Sequence, residues 1–281
     1  MSDIVYKKNG FSIPFLYGFR KLIIPIVDDA GNPVWPEVFD SKKISEIRQI
    51  VGERYFLSQM MLDFVPLERV HLDPGLINLY DAEYDSVHAK IDDFNITGIA
   101  LYWDPSSGRI NSDGSVCVMI YRNDVAHNIF IHDVKYIIVP ESENAPILWQ
   151  CNTVLDLMAR YSVRRISIET NGIGGTLPDM MKIAALQRGM SIIIDKVTNS
   201  KNKSVRICDA IEPLLGAGHL FAHSRIVNTQ LFSEMLGWTP NSNMHDDGLD
   251  AVAGAIRCVS TPVYPHGKKK NIIQANTDFI I

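Results

Sequence analysis

No apolar stretch of this chain approaches the roughly 18 consecutive residues that a membrane-crossing helix requires, so no transmembrane helix is expected. The opening residues, MSDIVYKKNG, lack the apolar centre of a secretory signal. Cysteine is scarce. Cys117, Cys151, Cys208 and Cys258 lie far apart with no CxxC pair, which excludes a disulfide-built scaffold and suits buried thiols in a reducing cytosol. Basic charge is not in excess either. Lys and Arg total 27 against 32 Asp and Glu, a formal charge of -5, so any nucleic-acid contact must come from a local patch rather than from bulk attraction. A G-x-S-x-G elbow is missing, which leaves a serine hydrolase without support. What the sequence does have is apolar content. Hydrophobic residues make up 46% of 281 residues, enough for one large domain or two small ones in a soluble intracellular protein.

The text changes character along its length. Pro14, Gly18, Pro25, Gly31, Pro33 and Pro36 cut the first part into short extended pieces and turns. Asp40 or Ser41 can cap a helix whose apolar positions are Ile44, Ile47 and Val51, with a second short helix around Tyr55–Met60. Residues 68–94 read as an irregular connector. Three strands follow, over 96–103, 116–121 and 128–139, the last long enough for a sheet edge with Ile129, Ile131, Val134 and Tyr136 alternating. Pro146 opens a helix, Arg165–Glu169 is a short buried strand, and 176–188 is a helix. A strand over 191–197, a helix over 205–215 and a final helix over 246–259 complete the pattern. The fold class is therefore α/β: three antiparallel strands, then parallel ones, flanked by helices. The expected organisation is an N-terminal extension over 1–95, a main domain over 96–263 and a flexible tail over 264–281.

Three acidic positions stand where such folds carry chemistry. Asp104 ends the first strand before a Pro-Ser-Ser-Gly turn, and Glu169 ends the RISIE strand before a glycine-rich loop. Ligands collect beyond the carboxyl ends of strands in open α/β sheets. The third position is His245-Asp246-Asp247-Gly248-Leu249-Asp250, where helical spacing lets Asp246 and Asp247 share a face with Asp250. Each acid alone has an ordinary explanation, as a turn residue, a strand end or a helix cap. Asp250 lies one turn inside the helix and has no capping role. Taken together, an oxygen-only set suits hard cations such as Mg²⁺ or Mn²⁺, and two such ions can clamp the attacking and leaving oxygens of a phosphodiester.

On the segments GIALYWDPSSG (98–108), RISIETNGIGG (165–175) and NMHDDGLDAVAGAI (243–256), the chain resembles the C-terminal nuclease domain of the large terminase subunits of tailed bacteriophages, which has an RNase H-like fold. Residues 34–66 resemble the segment joining the terminase motor to its nuclease. The resemblance implies a metal-dependent endodeoxyribonuclease that cuts concatemeric double-stranded DNA during genome packaging and leaves 3′-OH and 5′-phosphate ends. It implies two Mg²⁺ or Mn²⁺ ions on Asp104, Glu169 and Asp247, with Asp250 assisting and with Asp246 and Asp113 as further candidates. Implied partners are double-stranded DNA, a terminase ATPase motor, a small terminase subunit and a portal, in the host cell cytoplasm. The phosphate loop of the family's ATPase, G-x-x-x-x-G-K-[ST], does not occur in these residues, so translocation by this chain is not expected. Two alternatives remain: another RNase H-like nuclease of resolvase or transposase type, and a non-catalytic packaging component docking to portal or motor.

Phosphate contacts would fall on Lys196, Lys201, Lys203 and Arg206, a polar loop entering a helix. Arg164-Arg165 and Lys268-Lys269-Lys270 are weaker candidates. With no base-reading motif present, cutting independent of sequence is expected. His219 and His223, four apart, are set aside as a zinc pair because Gly216, Gly218 and strand-like Leu220-Phe221 argue against a helix there.

Overall fold

The computed structural model describes residues 5–8, 11–14, 23–51, 56–62, 72–106, 114–171, 175–240, 245–259 and 261–262. Its centre is a mixed sheet built on the expected antiparallel meander: β6 (Gly98–Asp104), β7 (Ser115–Asn123) and β8 (Asn128–Ile137). Parallel strands β9 (Arg165–Glu169) and β10 (Ile193–Val197) extend it beside β6. On the other side lie β11 (Leu220–His223) and β3 (Asn78–Tyr80), giving the order β10-β9-β6-β7-β8-β11-β3. A short β12 (Thr261–Pro262) pairs with the start of β6. Two small hairpins stand apart, β1 (Val5–Lys8) with β2 (Phe11–Pro14) and β4 (Lys90–Ile91) with β5 (Phe94–Asn95).

Helices cover both faces. Helix α1 (Ser41–Val51) starts as expected, with the Asp40 carboxylate accepting from the backbone of Lys43 at 2.7 Å. α2 (Pro146–Arg160), opened by its proline, and α3 (Leu177–Gln187) cover one face of the sheet. α4 (Lys203–Gly216), α5 (Gln230–Gly237) and α6 (Asp247–Cys258) cover the other. With both faces covered, β7 is buried almost continuously along its length.

Alternation along the strands decides which side carries the acids. Leu101, Trp103, Ile166 and Ile168 pack among α2 and α3. Their neighbours Tyr102, Asp104, Ser167 and Glu169 must then face α4 and α6, because successive side chains of a strand point to opposite faces. α6 approaches that face closely at Gly254, where a β-carbon would stand 2.3 Å from the Tyr102 ring. Any larger residue there would push the helix off β6.

The structure corrects three expectations. β8 is not an edge: β11 pairs with it in parallel, Ala222 beside Ile131. The stretch expected as a connector supplies β3 to the main sheet and the β4–β5 hairpin, so the sheet recruits chain from before residue 96. α5 was not foreseen at all, since its eight residues are too short for a clear periodic signal. The proposed tail over 264–281 lies outside the described residues.

β8 also breaks its alternation. Met119 pairs with Asp133 but Ile120 with Ile131, leaving His132 as the extra residue of a β-bulge. His132 is 1% exposed, its ring between the Tyr80 hydroxyl (2.9 Å) and Glu83 (3.1 Å). Burial, reinforced by Arg225 and opposed by Glu83, lowers its pKa to about 4. The imidazole is therefore neutral in the fold but takes a proton near pH 6.5 once unfolded. Its contribution to stability is present above about pH 6.5 and is lost as pH falls through about 4. Denaturant titrations should show His132→Gln losing less stability than the parent across that window, and parallel profiles would contradict the assignment.

Candidate active site

Two carboxylates leave the sheet side by side. β6 and β9 run parallel with Trp103 beside Ile168, so the next residues, Asp104 and Glu169, are neighbours at adjoining strand ends. Glu169 is 6% exposed and densely held. It accepts from the Tyr102 hydroxyl at 2.6 Å, Asn199 Nδ2 at 2.9 Å and Asn171 Nδ2 at 3.1 Å. The Asn171 side chain clasps the Asn199 main chain: Asn171 Nδ2 donates to the Asn199 carbonyl and the Asn199 N–H donates to Asn171 Oδ1.

α6 brings the third group. Asp246 precedes the helix and its carbonyl accepts from the Asp250 N–H at 3.0 Å. Asp250 is 6% exposed. Asp247 accepts from the Gly114 N–H at 2.7 Å. A β-carbon on Gly114 would stand 2.9 Å from that carboxylate, so the approach needs glycine. Behind the helix start, Glu234 of α5 accepts from the Leu249 N–H at 3.0 Å and from Tyr136 at 2.9 Å, satisfying an otherwise orphaned helical donor.

Cations from α4 enter this acidic cluster. Lys203 Nζ lies 2.6 Å from Asp246 and 3.2 Å from Asp247. Arg206 lies 2.5 Å from Asp250 and 3.6 Å from Glu169. Burial alone would discharge Lys203, yet its hydrogen bond to Asp246 and the charges of Asp246, Asp247 and Asp250 hold its pKa above the ordinary lysine value. Asp104 has less help. Burial first, then the charges of Glu169 and Asp250, raise its pKa to about 8, with Lys203 opposing and Asp247 adding a little. Asp250 is raised to about 6, by burial chiefly, with Arg206 and Lys203 opposing. Both shifts come first from burial, with the charges of neighbouring acids adding to it and the two cations opposing.

These acids supply oxygen donors only, with no His or Cys among them, the chemistry that hard divalent cations select. As placed, among the described residues, no group of three or more His, Cys, Asp and Glu could hold a metal ion. The cluster's internal counter-charge comes from Lys203 and Arg206 instead.

The expected acids Asp104, Glu169, Asp246, Asp247 and Asp250 thus come together in one cluster, while Asp113 lies outside the described residues. Lys196 and Lys201 are exposed, Lys201 within 3.6 Å of Asp209. Arg206 differs from expectation. It is 7% exposed and turned into the acids, so it offers no surface to DNA. His219 and His223 have separate partners, Asn128 and Arg225. Tyr102, Asn171 and Asn199 were missed. Tyr102 carried a signal, since a residue two before Asp104 on one strand shares its face. Tyr102→Phe removes a direct support of Glu169 and should weaken Mn²⁺ binding by these acids about 10- to 100-fold, the scale for lost outer supports, as read by calorimetry with an unchanged fold by circular dichroism. An unaltered affinity would show that Glu169 does not need this hydroxyl.

Residues 104–220 match the family model described as Terminase Bacteriophage T7, Ribonuclease H-like domain. Among solved structures the chain is similar to the P22 large terminase nuclease domain (12% identity, 68% of this chain, 94% of that one, TM-score 0.47). It is also similar to the human cytomegalovirus terminase nuclease domain (12% identity, 63% and 90%, TM-score 0.44). A third is the large terminase nuclease domain from bacteriophage SPP1 with bound Mn (13% identity, 67% and 98%, TM-score 0.42). No curated protein matches the chain. No helix among the described residues is long and apolar enough to cross a membrane.

Proposed function

We propose that this chain, which over residues 104–220 belongs to the terminase ribonuclease H-like family, is a metal-dependent endonuclease that cuts concatemeric double-stranded DNA during genome packaging. The observation that carries this reading is the meeting of Asp104 and Glu169, at adjoining strand ends, with Asp250 and Asp247 on α6. Such a cluster repels itself unless cations balance it, and a charge-deficient pocket of oxygen donors is suited to divalent ions.

In this reading Asp104, Glu169, Asp247 and Asp250 hold two Mg²⁺ or Mn²⁺. Ions so held supply Lewis-acid stabilisation of the charge that builds on phosphate oxygens during in-line displacement, leaving 3′-OH and 5′-phosphate ends. The chain's own residues do the rest. Tyr102, Asn171 and Asn199 fix the Glu169 carboxylate, so it need not reorganise during reaction. Gly114 fixes Asp247 from the β7 side. Lys203, its side chain 38% exposed, sits at the mouth of the cluster and can turn from Asp246 and Asp247 to a backbone phosphate. Lys196 and Lys201 extend that positive edge along the duplex, with contacts to phosphate rather than to bases. The assembly partners of such a nuclease are an ATPase motor, a small terminase subunit and a portal, in the host cytoplasm.

The experiment is cleavage of supercoiled and linear plasmid with Mn²⁺, with EDTA and an Asp247→Ala variant as controls. Nicking and linearisation that need metal and fall about 10³-fold in the variant are expected, since metal stabilisation of several kcal/mol is at stake. Equal cutting by Asp247→Ala would reject the site. Preference for a four-way junction over linear duplex would move the assignment to a resolvase.

A further inference from the structure

Arg206 buries a positive charge directly among the proposed metal ligands. Its side chain is 8% exposed and bridges two of the proposed metal ligands, Asp250 at 2.5 Å and Glu169 at 3.6 Å. These acids come from different elements, β9 and α6, and are 81 positions apart in the chain. The bridge is also incompletely satisfied: among the described residues, Arg206 Nε is buried without a hydrogen-bond partner. A guanidinium kept for structure alone is expected to use its donors, because a buried unpaired N–H is costly. Meanwhile, among the described residues, the acids do not form a ready metal-holding group.

We propose that Arg206 is an internal substitute cation: it occupies the carboxylates of Glu169 and Asp250 in the metal-free protein, and divalent metal takes those oxygens only by displacing it. This rests on the metal-dependent nuclease reading. The bridge keeps a self-repelling cluster folded without metal, and it sets a threshold for loading. Guanidinium and divalent ion carry like charge and repel when held on the same carboxylates, so they are linked competitors, and whatever weakens one strengthens the other. Lys203 differs. It holds Asp246 and Asp247 from a more exposed position and can yield to phosphate without a buried rearrangement.

The test is Mn²⁺ binding by the full chain, measured by calorimetry and by the Mn²⁺-induced rise in thermal midpoint, without reference to cleavage. Arg206→Gln should bind Mn²⁺ at least about 10-fold more tightly than the parent, a gain of about 1.4 kcal/mol. Its midpoint should be lower than the parent's without metal and should recover on adding Mn²⁺, as expected for a ligand that binds only the folded state. A merely structural bridge predicts the reverse, weaker binding and no selective recovery. Should Arg206→Gln fail to fold, Arg206→Lys keeps the charge but lacks the two-pronged head, and tighter binding by about threefold is expected. If the parent binds Mn²⁺ and the folded variant binds it equally or more weakly, the competition is wrong while the nuclease reading stands. If neither binds Mn²⁺, the nuclease reading itself falls.

Discussion

Asp104→Asn should abolish DNA cleavage and at the same time raise the thermal midpoint of the metal-free protein. The loss follows from removing the proposed oxygen ligand at the end of β6, expected to cost about 10³-fold or more in rate. The gain follows from the electrostatics of the cluster. Burial and the charges of Glu169 and Asp250 raise the Asp104 pKa to about 8, although Lys203 opposes them. Unfolding lets the same group ionise near its ordinary value of 3.8. The fold therefore holds a proton that the unfolded chain releases, and the associated stability is present below about pH 4 and lost as pH rises through about 8. Asparagine cannot ionise and escapes that loss. The advantage of Asp104→Asn should thus widen between pH 4 and 8 and amount to a few degrees near pH 8, from about 1–2 kcal/mol. Added Mn²⁺ should stabilise the parent more than the variant. A variant less stable than the parent at pH 8, measured in EDTA, would show that Asp104 is not under charge strain.

Gly248→Ala should be the most damaging single methyl in the molecule. A β-carbon there would lie 1.9 Å from the Tyr136 hydroxyl and 2.8 Å from Glu234 Oε2. Those two groups form the latch that receives the Leu249 N–H and seats the start of α6. Overpacking in a filled core costs about 1–3 kcal/mol, and here it also breaks hydrogen bonds to a buried carboxylate. The expected result is a loss of about 3 kcal/mol or more by denaturant titration, with cleavage falling because Asp247 and Asp250 flank the site of the clash. Tyr136→Phe removes the atom that suffers the shortest contact. In the Tyr136→Phe background the further cost of Gly248→Ala should be at least about 1 kcal/mol smaller, a coupling that a double-mutant cycle reads directly. Additive costs would mean that the helix start relaxes some other way.

The acids were legible in the sequence because their positions combine two independent signals, a strand end and helical spacing of three and four. Both depend on local period, which a sequence displays. What was not legible depends on distance across the fold. Arg206 looked like a phosphate contact because a polar loop and a helix start normally face solvent. Only the packing of α4 against α6 turns it inward to Asp250 and Glu169. Asn171 and Asn199 read as loop residues because a brace between two loops has no sequence period. The bulge at His132 is a middle case. Ile131 and Val134 both belong to the core beneath α4 and α6, and a spacing of three along a strand requires one extra residue between them. The reading of a regular alternation passed over it, and with it the internal position of β8. Leu220-Phe221 read as strand-like, but its pairing beside β8 is a contact across the fold that no local pattern displays.

The side-by-side exit of residues 104 and 169 has a consequence for what changes this scaffold can absorb. The two acids meet by parity, each an even number of steps from a residue that faces the same helices. Lengthening β9 by one residue upstream of Glu169 would turn its carboxylate beneath α2 and α3, into hydrocarbon, while an insertion of two would restore its side and lose only its depth. Variation in length is thus quantised within the strands, where a single-residue insertion moves an acid to the wrong side of the sheet.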